Sequence, residues 1–262
     1  MVQEDLGKYN PEGSTLRKAQ LRMLDMLIEI DKICRKHDIP YWVEYGTLLG
    51  AVRHKGFIPW DDDLDIAVMR DDFHRLKKIL KRELPDNMVY QDSTNEWNLP
   101  LLFGKVRDVN SYFEEEYTYK LKYKGIFVDI FPMEKVPSMK WKTKLDYWYG
   151  HCFRAIHNFT DRKDKLKSIC AMPFAWFMLQ ATRLCNRFSP SRQIAHVYGL
   201  GAYNCFSMDD VFPVKRMSFE DIEVCVPNNP DAVLTALYGD YMQIPPEEKR
   251  ITHTGKIEFY DE

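Results

Sequence analysis

The chain has 262 residues, of which 45% are hydrophobic and 29% charged, and its formal net charge at pH 7 is −2. These values exclude a disordered or collagen-like chain and argue against a nucleic-acid-binding surface. The N-terminal residues lack the basic and then apolar order of a signal peptide, and no apolar run reaches the roughly 18 residues that span a bilayer. Six scattered cysteines with no C-x-x-C pair are typical of reduced thiols. We therefore expect a globular, cytoplasmic protein with no nucleic-acid partner.

The first half of the chain alternates between helical and strand patterns. A helix is predicted over 14–37, because apolar residues recur there at helical spacing and Pro40 disfavours its continuation. Two further helices are predicted, one over 48–52 and one over 71–84. Aromatic and β-branched residues predict short strands at 41–45, 64–69, 101–106 and 125–131.

The second half is predicted to be helical from 141 to about 188, with short strands within 217–226 and one helix that opens at Pro230. The expected fold class is therefore α/β (α+β), a small mixed sheet with flanking helices and a helical insertion. The expected division is a core at 1–137, a helical insertion at 138–205 and a C-terminal segment at 206–262 that packs back on the core.

An aspartate-rich run leads into the second predicted strand and is the strongest candidate for a functional site. Because side chains alternate along a strand, Asp63 and Asp65 point the same way, and two carboxylates on one face repel unless a cation lies between them. Oxygen ligands with open positions suit Mg²⁺ or Mn²⁺. An exposed turn or a helix cap is the ordinary alternative for such a run. A calcium-binding loop is excluded, because Ile66 stands where that loop needs glycine.

A phosphate-binding turn is predicted just before this run. Gly46 and Thr47 lie where the first predicted strand turns into a helix. Backbone N–H groups and a hydroxyl at such a turn can hold a phosphate against the positive end of the helix. Together with metal ligands on the adjacent strand, the turn predicts a site for a metal-bound phosphate ester.

A further carboxylate and several basic residues complete the candidate site. Asp129 lies between apolar residues of a predicted strand, where a carboxylate is costly unless it is paired or metal-bound. We interpret it as a third metal ligand or a general base, with a buried salt bridge as the alternative. The basic residues that either neutralise phosphate oxygens or are plain surface charges are Arg53, His54, Lys55, Lys105 and Arg107.

Two other segments each allow two interpretations. The charged, aromatic stretch 111–124 is predicted to be a solvated hairpin or a lid. The stretch 169–179 contains no charge and is flanked by lysines and arginines. It is too short to span a bilayer and is either a buried core helix or a helix that lies in a membrane interface.

Taken together, these motifs resemble the LicD family of phosphocholine transferases, which is related to the fukutin group of phosphosugar transferases. The resemblance covers roughly residues 20–135 and 210–255. In the first part it rests on Tyr45–Gly50, Arg53–Gly56, Ile58–Ile66 and Val128–Pro132. In the second part it rests on Tyr238–Met242, Pro245–Pro246 and His253.

The resemblance implies a nucleotidyltransferase-like fold in which Gly46 and Thr47 hold a phosphate. Asp63 and Asp65 then form the metal pair, and Asp129 is the third carboxylate. Lys105 and Arg107 are expected to stabilise the phosphoryl oxygens. Asp61 and Asp62 belong to the family's pattern, and neither metal binding nor a supporting role is assigned to them. Aromatic side chains available to cage a choline ammonium are Tyr112, Phe113, Tyr117 and Tyr119.

The implied activity is metal-dependent transfer of phosphocholine, or a related phospho-alcohol, from a CDP-linked donor to a sugar hydroxyl of a cell-surface glycan or its precursor. The expected cofactor is Mg²⁺ or Mn²⁺. The expected partners are a CDP-linked donor, CDP-choline or a related CDP-alcohol, and a glycan acceptor. If the acceptor is attached to a lipid carrier, the protein is expected to make peripheral contact with the inner membrane face. The alternatives are a nucleotidyltransferase that passes on the nucleotide itself and a catalytically silent nucleotide-binding protein of the same fold.

Overall fold

A computed structural model of the chain describes residues 5–115, 120–136, 139–157, 161–197, 199, 205–250 and 255–261. It confirms an α+β fold, in which helices pack around a mixed sheet. The helices are α1 (Thr15–Lys36), α2 (Tyr45–Arg53), α3 (Arg70–Glu83), α4 (Met139–His157), α5 (Arg162–Phe188), α6 (Met208–Val211) and α7 (Pro230–Tyr238). The strands are β1 (Tyr41–Val43), β2 (Asp65–Met69), β3 (Met88–Gln91), β4 (Gly104–Asp108), β5 (Ser111–Phe113), β6 (Phe127–Lys135), β7 (Gln193–His196), β8 (Cys205–Ser207), β9 (Lys215–Phe219), β10 (Ile222–Val226) and β11 (Ile257–Phe259).

Strand β6 is the centre of the main sheet. The strand order is β1-β2-β6-β4-β3, and β7, which carries β8 on its outer edge, also pairs with β6. Strand β2 runs parallel to β6 on one side. On the other side, β4 pairs antiparallel with the first half of β6 and β7 with the second half. Because both of its edges are occupied, β6 is buried from Phe127 to Glu134.

Helix α1 confirms the prediction for the N-terminal part of the chain. The Ser14 hydroxyl accepts a hydrogen bond from the backbone N–H of Arg17 at 3.2 Å and caps the helix. Apolar residues at helical spacing, including Met23, Leu27 and Ile30, are completely buried in the core. The capped start and the apolar stripe explain why this helix is legible in the sequence.

The predicted helical region in the middle of the chain consists of two helices, and the second is largely exposed. Asp161 occupies the N-cap position of α5. A core helix would bury Trp176 and Phe177, but these side chains are 52% and 61% exposed. The core interpretation of 169–179 is therefore wrong at these positions, because periodicity alone does not show whether anything covers an apolar face. Among the described helices, not one is long and apolar enough to cross a membrane.

The segment after β4 also differs from its prediction. The stretch 111–113 forms strand β5, which pairs antiparallel with β11 near the C-terminus. Phe113 is 1% exposed and packs on Phe127 with ring centroids 5.1 Å apart. The solvated hairpin is therefore wrong for these residues, because their partner strand lies more than 140 residues further along the chain. Residues 116–119 lie outside the part of the chain that the structure describes.

A two-residue turn between β9 and β10 connects the C-terminal part of the chain to α1 and α2. Glu220 in this turn forms a bidentate pair with Arg17, with distances of 2.6 and 3.2 Å. Its Oε1 atom also accepts a hydrogen bond from the backbone N–H of Phe57 at 3.0 Å. A Cβ atom on Gly56 would lie 2.3 Å from the same oxygen, so glycine allows this close approach. One carboxylate thus links three separate segments.

We predict that Glu220→Gln lowers the free energy of unfolding by about 1 kcal/mol at neutral pH. Burial alone would raise the pKa of Glu220, but the hydrogen bonds from Arg17 and Phe57 outweigh it and hold that pKa below its usual value. A lowered pKa means that the stabilisation is present above the unfolded-state pKa and is lost as pH falls through the folded-state pKa. Urea denaturation from neutral pH to about pH 3 should therefore show the two proteins converging as the pH falls below about 4.

The matched control is Glu223→Gln, which changes an exposed glutamate on the neighbouring strand. It should leave stability within about 0.5 kcal/mol of the wild type. An equal loss in both variants, or a loss in Glu220→Gln that does not depend on pH, would contradict the assignment of this link.

Candidate active site

Three strands of the main sheet bring two carboxylates and one ammonium group to the same place. In the parallel pairing of β2 with β6, Asp65 stands opposite Asp129. In the antiparallel pairing of β4 with β6, Lys105 stands opposite the same Asp129. The exposed fractions of Asp65, Asp129 and Lys105 are 6%, 8% and 2%. Since these neighbours come from strand pairing on both edges of β6, the register of the sheet determines the site.

The turn at the start of α2 lies against the aspartates. The Thr47 hydroxyl oxygen accepts a hydrogen bond from the backbone N–H of Asp65 at 2.9 Å, which ties the turn to the strand. A Cβ atom on Gly46 would lie 2.6 Å from Asp61 Oδ2, so glycine lets this carboxylate approach the turn. The structure therefore brings the predicted phosphate-binding turn and the predicted metal pair together.

The aspartates concentrate negative charge at this point. Burial raises the pKa of Asp65 well above its usual value, and the carboxylates of Asp63 and Asp129 raise it further. Burial also raises the pKa of Asp129 to about 6, although Lys105 opposes this shift. A positive charge bound here would relieve the repulsion and favour the ionised carboxylates.

The donor atoms at this point fit a hard divalent cation. Among the described residues, no group of three or more His, Cys, Asp or Glu side chains is arranged to hold a metal ion by itself. Asp63 and Asp65 line the same cavity, whereas Asp129 is paired with Lys105, whose Nζ lies 2.9 Å from Oδ1. Mg²⁺ and Mn²⁺ fit a carboxylate pair, because Mg²⁺ usually takes one or two carboxylates and completes its coordination with water and substrate phosphates. Asp129 as a third ligand stays a prediction.

Lys105 and Arg107 share a carboxylate inside the protein. Lys105 Nζ lies 2.9 Å from Glu115 Oε1, and Arg107 Nη2 lies 2.5 Å from Oε2 of the same residue. Burial alone would raise the pKa of Glu115, but the two cations hold it at about 2. Arg107 is completely buried and also donates to Gln91 Oε1 at 2.6 Å. Lys105 therefore lies next to the aspartates, and Arg107 lies behind it.

A cavity of about 570 Å³ opens at the aspartates. Asp63 and Asp65, which are predicted to point the same way, both line it, and so does Asp61, although β2 begins only at Asp65. Asp62 is completely buried and does not line it. The C-terminal segment lines the cavity with Tyr238, Asp240, Tyr241, Gln243, Pro245 and Lys249. These residues carry no motif that by itself indicates a role, and their resemblance to the family over 238–246 is the signal that could have indicated one. His253, which also belongs to the family resemblance, lies outside the residues that the structure describes.

Of the three basic residues at the end of α2, Arg53 lines the cavity. Its Nη1 donates to the backbone carbonyl of Tyr241 at 2.8 Å, and its Nε donates to His54 Nε2 at 2.9 Å. Burial, assisted by the charge of Arg53, lowers the pKa of His54 to about 4. His54 is therefore neutral at pH 7 and adds no positive charge there. Lys55 is exposed, with a left-handed φ of 61°.

The aromatic side chains near the aspartates are not those expected from the sequence. Phe113 is part of the core, as described above, and cannot contribute to a cage. Tyr112 lies beside Lys256, whose Nζ is 5.9 Å from the ring centroid. Tyr117 and Tyr119 lie outside the described residues. The aromatic residues that line the cavity are Tyr45, Trp60, Tyr238 and Tyr241.

Tyr45 is held in an uncommon backbone conformation by a buried polar pair. Its φ is 47°, and its ring stacks on the His196 ring with centroids 4.8 Å apart. His196 Nε2 lies 3.8 Å from Glu44 Oε1, and Glu44 Oε2 accepts from the Trp42 indole at 2.5 Å. Burial raises the pKa of Glu44 to about 8 and lowers that of His196 to about 3. The sequence carries no signal for this pair, because Glu44 and His196 are distant in the chain.

Comparison with known proteins shows which family the chain belongs to. Residues 38–182 match the family model described as LicD/FKTN/FKRP, nucleotidyltransferase domain. The chain is 30% identical to the lipopolysaccharide cholinephosphotransferase LicD of Haemophilus influenzae, over 91% of this chain and 96% of the relative. It is 29% identical to the ribitol 5-phosphate transferase FKRP of Mus musculus, over 57% of this chain and 26% of the relative.

The matched range contains the turn at Gly46 and Thr47, the aspartates of β2, and Asp129 and Lys105 of the neighbouring strands. The relative from Haemophilus influenzae matches over 91% of this chain, which is more of it than the family model covers. The chain therefore belongs to the LicD/FKTN/FKRP family.

Proposed function

We propose that this protein transfers phosphocholine, or a related phospho-alcohol, from a CDP-linked donor to a sugar hydroxyl of a cell-surface glycan or its precursor. The observation that carries the proposal is the cavity in which Asp61, Asp63 and Asp65 face a glycine turn, in a chain that matches a cholinephosphotransferase along nearly its whole length. Aspartates and a helix N-terminus together suit a substrate with a metal-bound diphosphate.

Asp63 and Asp65 are the residues that would hold Mg²⁺ or Mn²⁺. When bound, such an ion neutralises charge on the donor's phosphates and on the leaving nucleotide. Gly46 and Thr47 bring backbone N–H groups to the start of α2, where they orient a phosphate. Arg53 places a guanidinium group in the same cavity, where it counters the charge of the donor.

Asp129 is proposed to accept the proton of the attacking sugar hydroxyl or to join the metal pair. Lys105 lies 2.9 Å from this carboxylate and 2.9 Å from Glu115, so its position is set from two sides. Arg107, on the far side of Glu115, keeps this carboxylate in place. In this arrangement the ammonium group of Lys105 reduces the repulsion between the carboxylates of Asp129 and Glu115. Arg107 affects the site indirectly, through its ion pair with Glu115.

The four aromatic side chains of the cavity support a cationic alcohol such as choline. Quaternary ammonium groups bind in cages of aromatic rings. The cavity that contains the aspartates is also lined by Tyr45, Trp60, Tyr238 and Tyr241. Partial desolvation and the nearby carboxylates of Asp65 and Asp61 raise the pKa of Tyr238 above its usual value, so its phenol is neutral at pH 7.

We predict that Asp63→Asn and Asp65→Asn each lower turnover by about 10³-fold, because each removes a charged ligand worth several kcal/mol in the transition state. Thermal stability should stay the same or rise, since Asp65→Asn removes a buried charge that is repelled by its neighbours. EDTA should abolish the activity of the wild type, and added Mg²⁺ or Mn²⁺ should restore it. The control is Asp86→Asn, an exposed aspartate outside the cavity. Near-full activity of either site variant would show that the metal pair is wrongly assigned.

We predict that Asp129→Asn lowers turnover by at least about 10²-fold with only a small change in stability. The stability effect is small because Lys105 keeps Glu115 as a partner and the repulsion with Asp65 disappears. The matched control is Asp108→Asn, which changes another buried carboxylate that pairs with Arg22 at 3.1 Å. It should cost about 1 kcal/mol, because Arg22 keeps Asp261 as a partner at 3.0 Å, and it should leave the protein active. The opposite pattern, a destabilised but fully active Asp129→Asn, would make Asp129 a structural residue.

We predict that the purified protein, incubated with Mg²⁺, a sugar acceptor and a panel of CDP-alcohols, releases CMP and favours CDP-choline. Mass spectrometry of the acceptor should show the added mass of the phospho-alcohol. An added nucleotide mass would instead support a nucleotidyltransferase. Nucleotide binding with no product from any member of the panel would support a catalytically silent protein.

A further inference from the structure

Helix α5 presents a broad apolar face to solvent. Seven of the thirteen exposed large hydrophobic side chains in the described structure belong to this one helix. They follow the helical repeat along one side, and the most exposed include Leu166, Phe174, Phe177, Leu184 and Phe188, at 60% to 80%. Exposed apolar patches of this kind mark surfaces that bind something.

The opposite side of α5 is anchored to the protein. Ser168, Ala175, Leu179 and Asn186 are buried, and Arg183 pairs with Glu134 of β6 at 2.8 Å. The ring of Phe174 also contacts that of Trp148 on α4, with centroids 5.9 Å apart. The exposed apolar side chains therefore lie on a helix whose position is set by its other face.

The ends of this apolar face are positively charged. Arg162, Lys163 and Lys167 are exposed near the start of α5, and Arg187 is exposed near its end. The residues between Lys167 and Arg183 carry no charge. Along the whole helix the single acidic residue, Asp164, is only 3.6 Å from His151. A helix face that is apolar along its middle and basic at both ends is complementary to a surface with an apolar interior and anionic groups on its outer side.

We propose that α5 lies in the plane of an anionic phospholipid membrane, with its apolar face in the boundary between head groups and acyl chains. Phenylalanine and tryptophan suit this depth, and lysine and arginine at the ends contact the anionic head groups. A helix needs about 20 apolar residues to cross a bilayer, and the uncharged part of α5 is shorter than that. The helix therefore lies on the membrane and does not cross it. A second copy of the chain fits the face less well, because a parallel or an antiparallel pairing of two α5 helices brings basic ends together.

This interaction is independent of the proposed transferase activity, and its test needs neither donor nor acceptor. The protein is sedimented with vesicles of phosphatidylcholine alone and with vesicles of phosphatidylcholine and phosphatidylglycerol in equal parts. We expect binding to the anionic vesicles at low ionic strength and at least about tenfold weaker binding in about 0.5 M salt, where the Debye length is a few ångström.

Two sets of variants separate the apolar and electrostatic contributions. Phe174→Glu with Phe177→Glu should abolish sedimentation, while the matched control Tyr260→Glu, which changes an aromatic residue 62% exposed and distant from α5 in sequence, should bind like the wild type. Lys163→Ser with Lys167→Ser leaves the apolar face intact and should weaken binding by about 25-fold, at about 1 kcal/mol for each lysine. Circular dichroism shows whether each variant is folded.

A direct readout comes from the exposed thiols, Cys170 and Cys185, which both lie on α5. A polarity-sensitive dye attached to them should shift to the blue with anionic vesicles and not with neutral ones. The proposal is wrong if the wild type does not sediment with anionic vesicles at low salt, or if Tyr260→Glu loses as much binding as the α5 variant. It is also wrong if light scattering shows a dimer that becomes a monomer in Phe174→Glu with Phe177→Glu, because the face is then an interface between copies.

Discussion

The repulsion between two buried carboxylates is the constraint around which this site is arranged. Asp65 and Asp129 are neighbours in the parallel pairing of β2 with β6, where neither is freely solvated. Part of the repulsion is offset within the sheet, because Lys105 stands beside Asp129 on the other edge of β6. Glu115 and Arg107 extend the row with alternating sign. Such a row is favourable only when every member keeps its partner.

Negative charge accumulates at the end of the row that faces the cavity. Asp61, Asp63 and Asp65 line this cavity together, and burial and the carboxylate of Asp63 both raise the pKa of Asp65. A cation bound beside Asp63 and Asp65 would offset this repulsion, since placing like charges close together in a buried site is costly. The accumulation is thus an electrostatic argument for the metal pair that does not depend on resemblance to other proteins.

Strand β6 connects this site to the exposed helix α5. Asp129 lies near the start of the strand, and Glu134, which pairs with Arg70 and Arg183, lies near its end. At about 3.3 Å per residue, the two carboxylates are roughly 17 Å apart along the strand. The cavity and the apolar face are therefore attached to one rigid element, while the C-terminal segment closes the cavity through contacts with α2 such as that of Arg53 with Tyr241.

The sequence by itself determined the local elements and the chemistry of the aspartate run. Ser14 and the apolar stripe of α1 are read from neighbouring residues, and the alternation along a strand predicts that Asp63 and Asp65 point the same way. Only the tertiary structure decided that Asp129 and Lys105 lie next to Asp65, that Tyr238 and Tyr241 complete the cavity, and that Phe113 belongs to the core. It also decided that Trp176 and Phe177 face outward, because an apolar helix face has the same periodicity whether protein or solvent lies against it. Local patterns depend on residues a few positions apart, whereas strand register, cavity walls and burial depend on which distant segments come together.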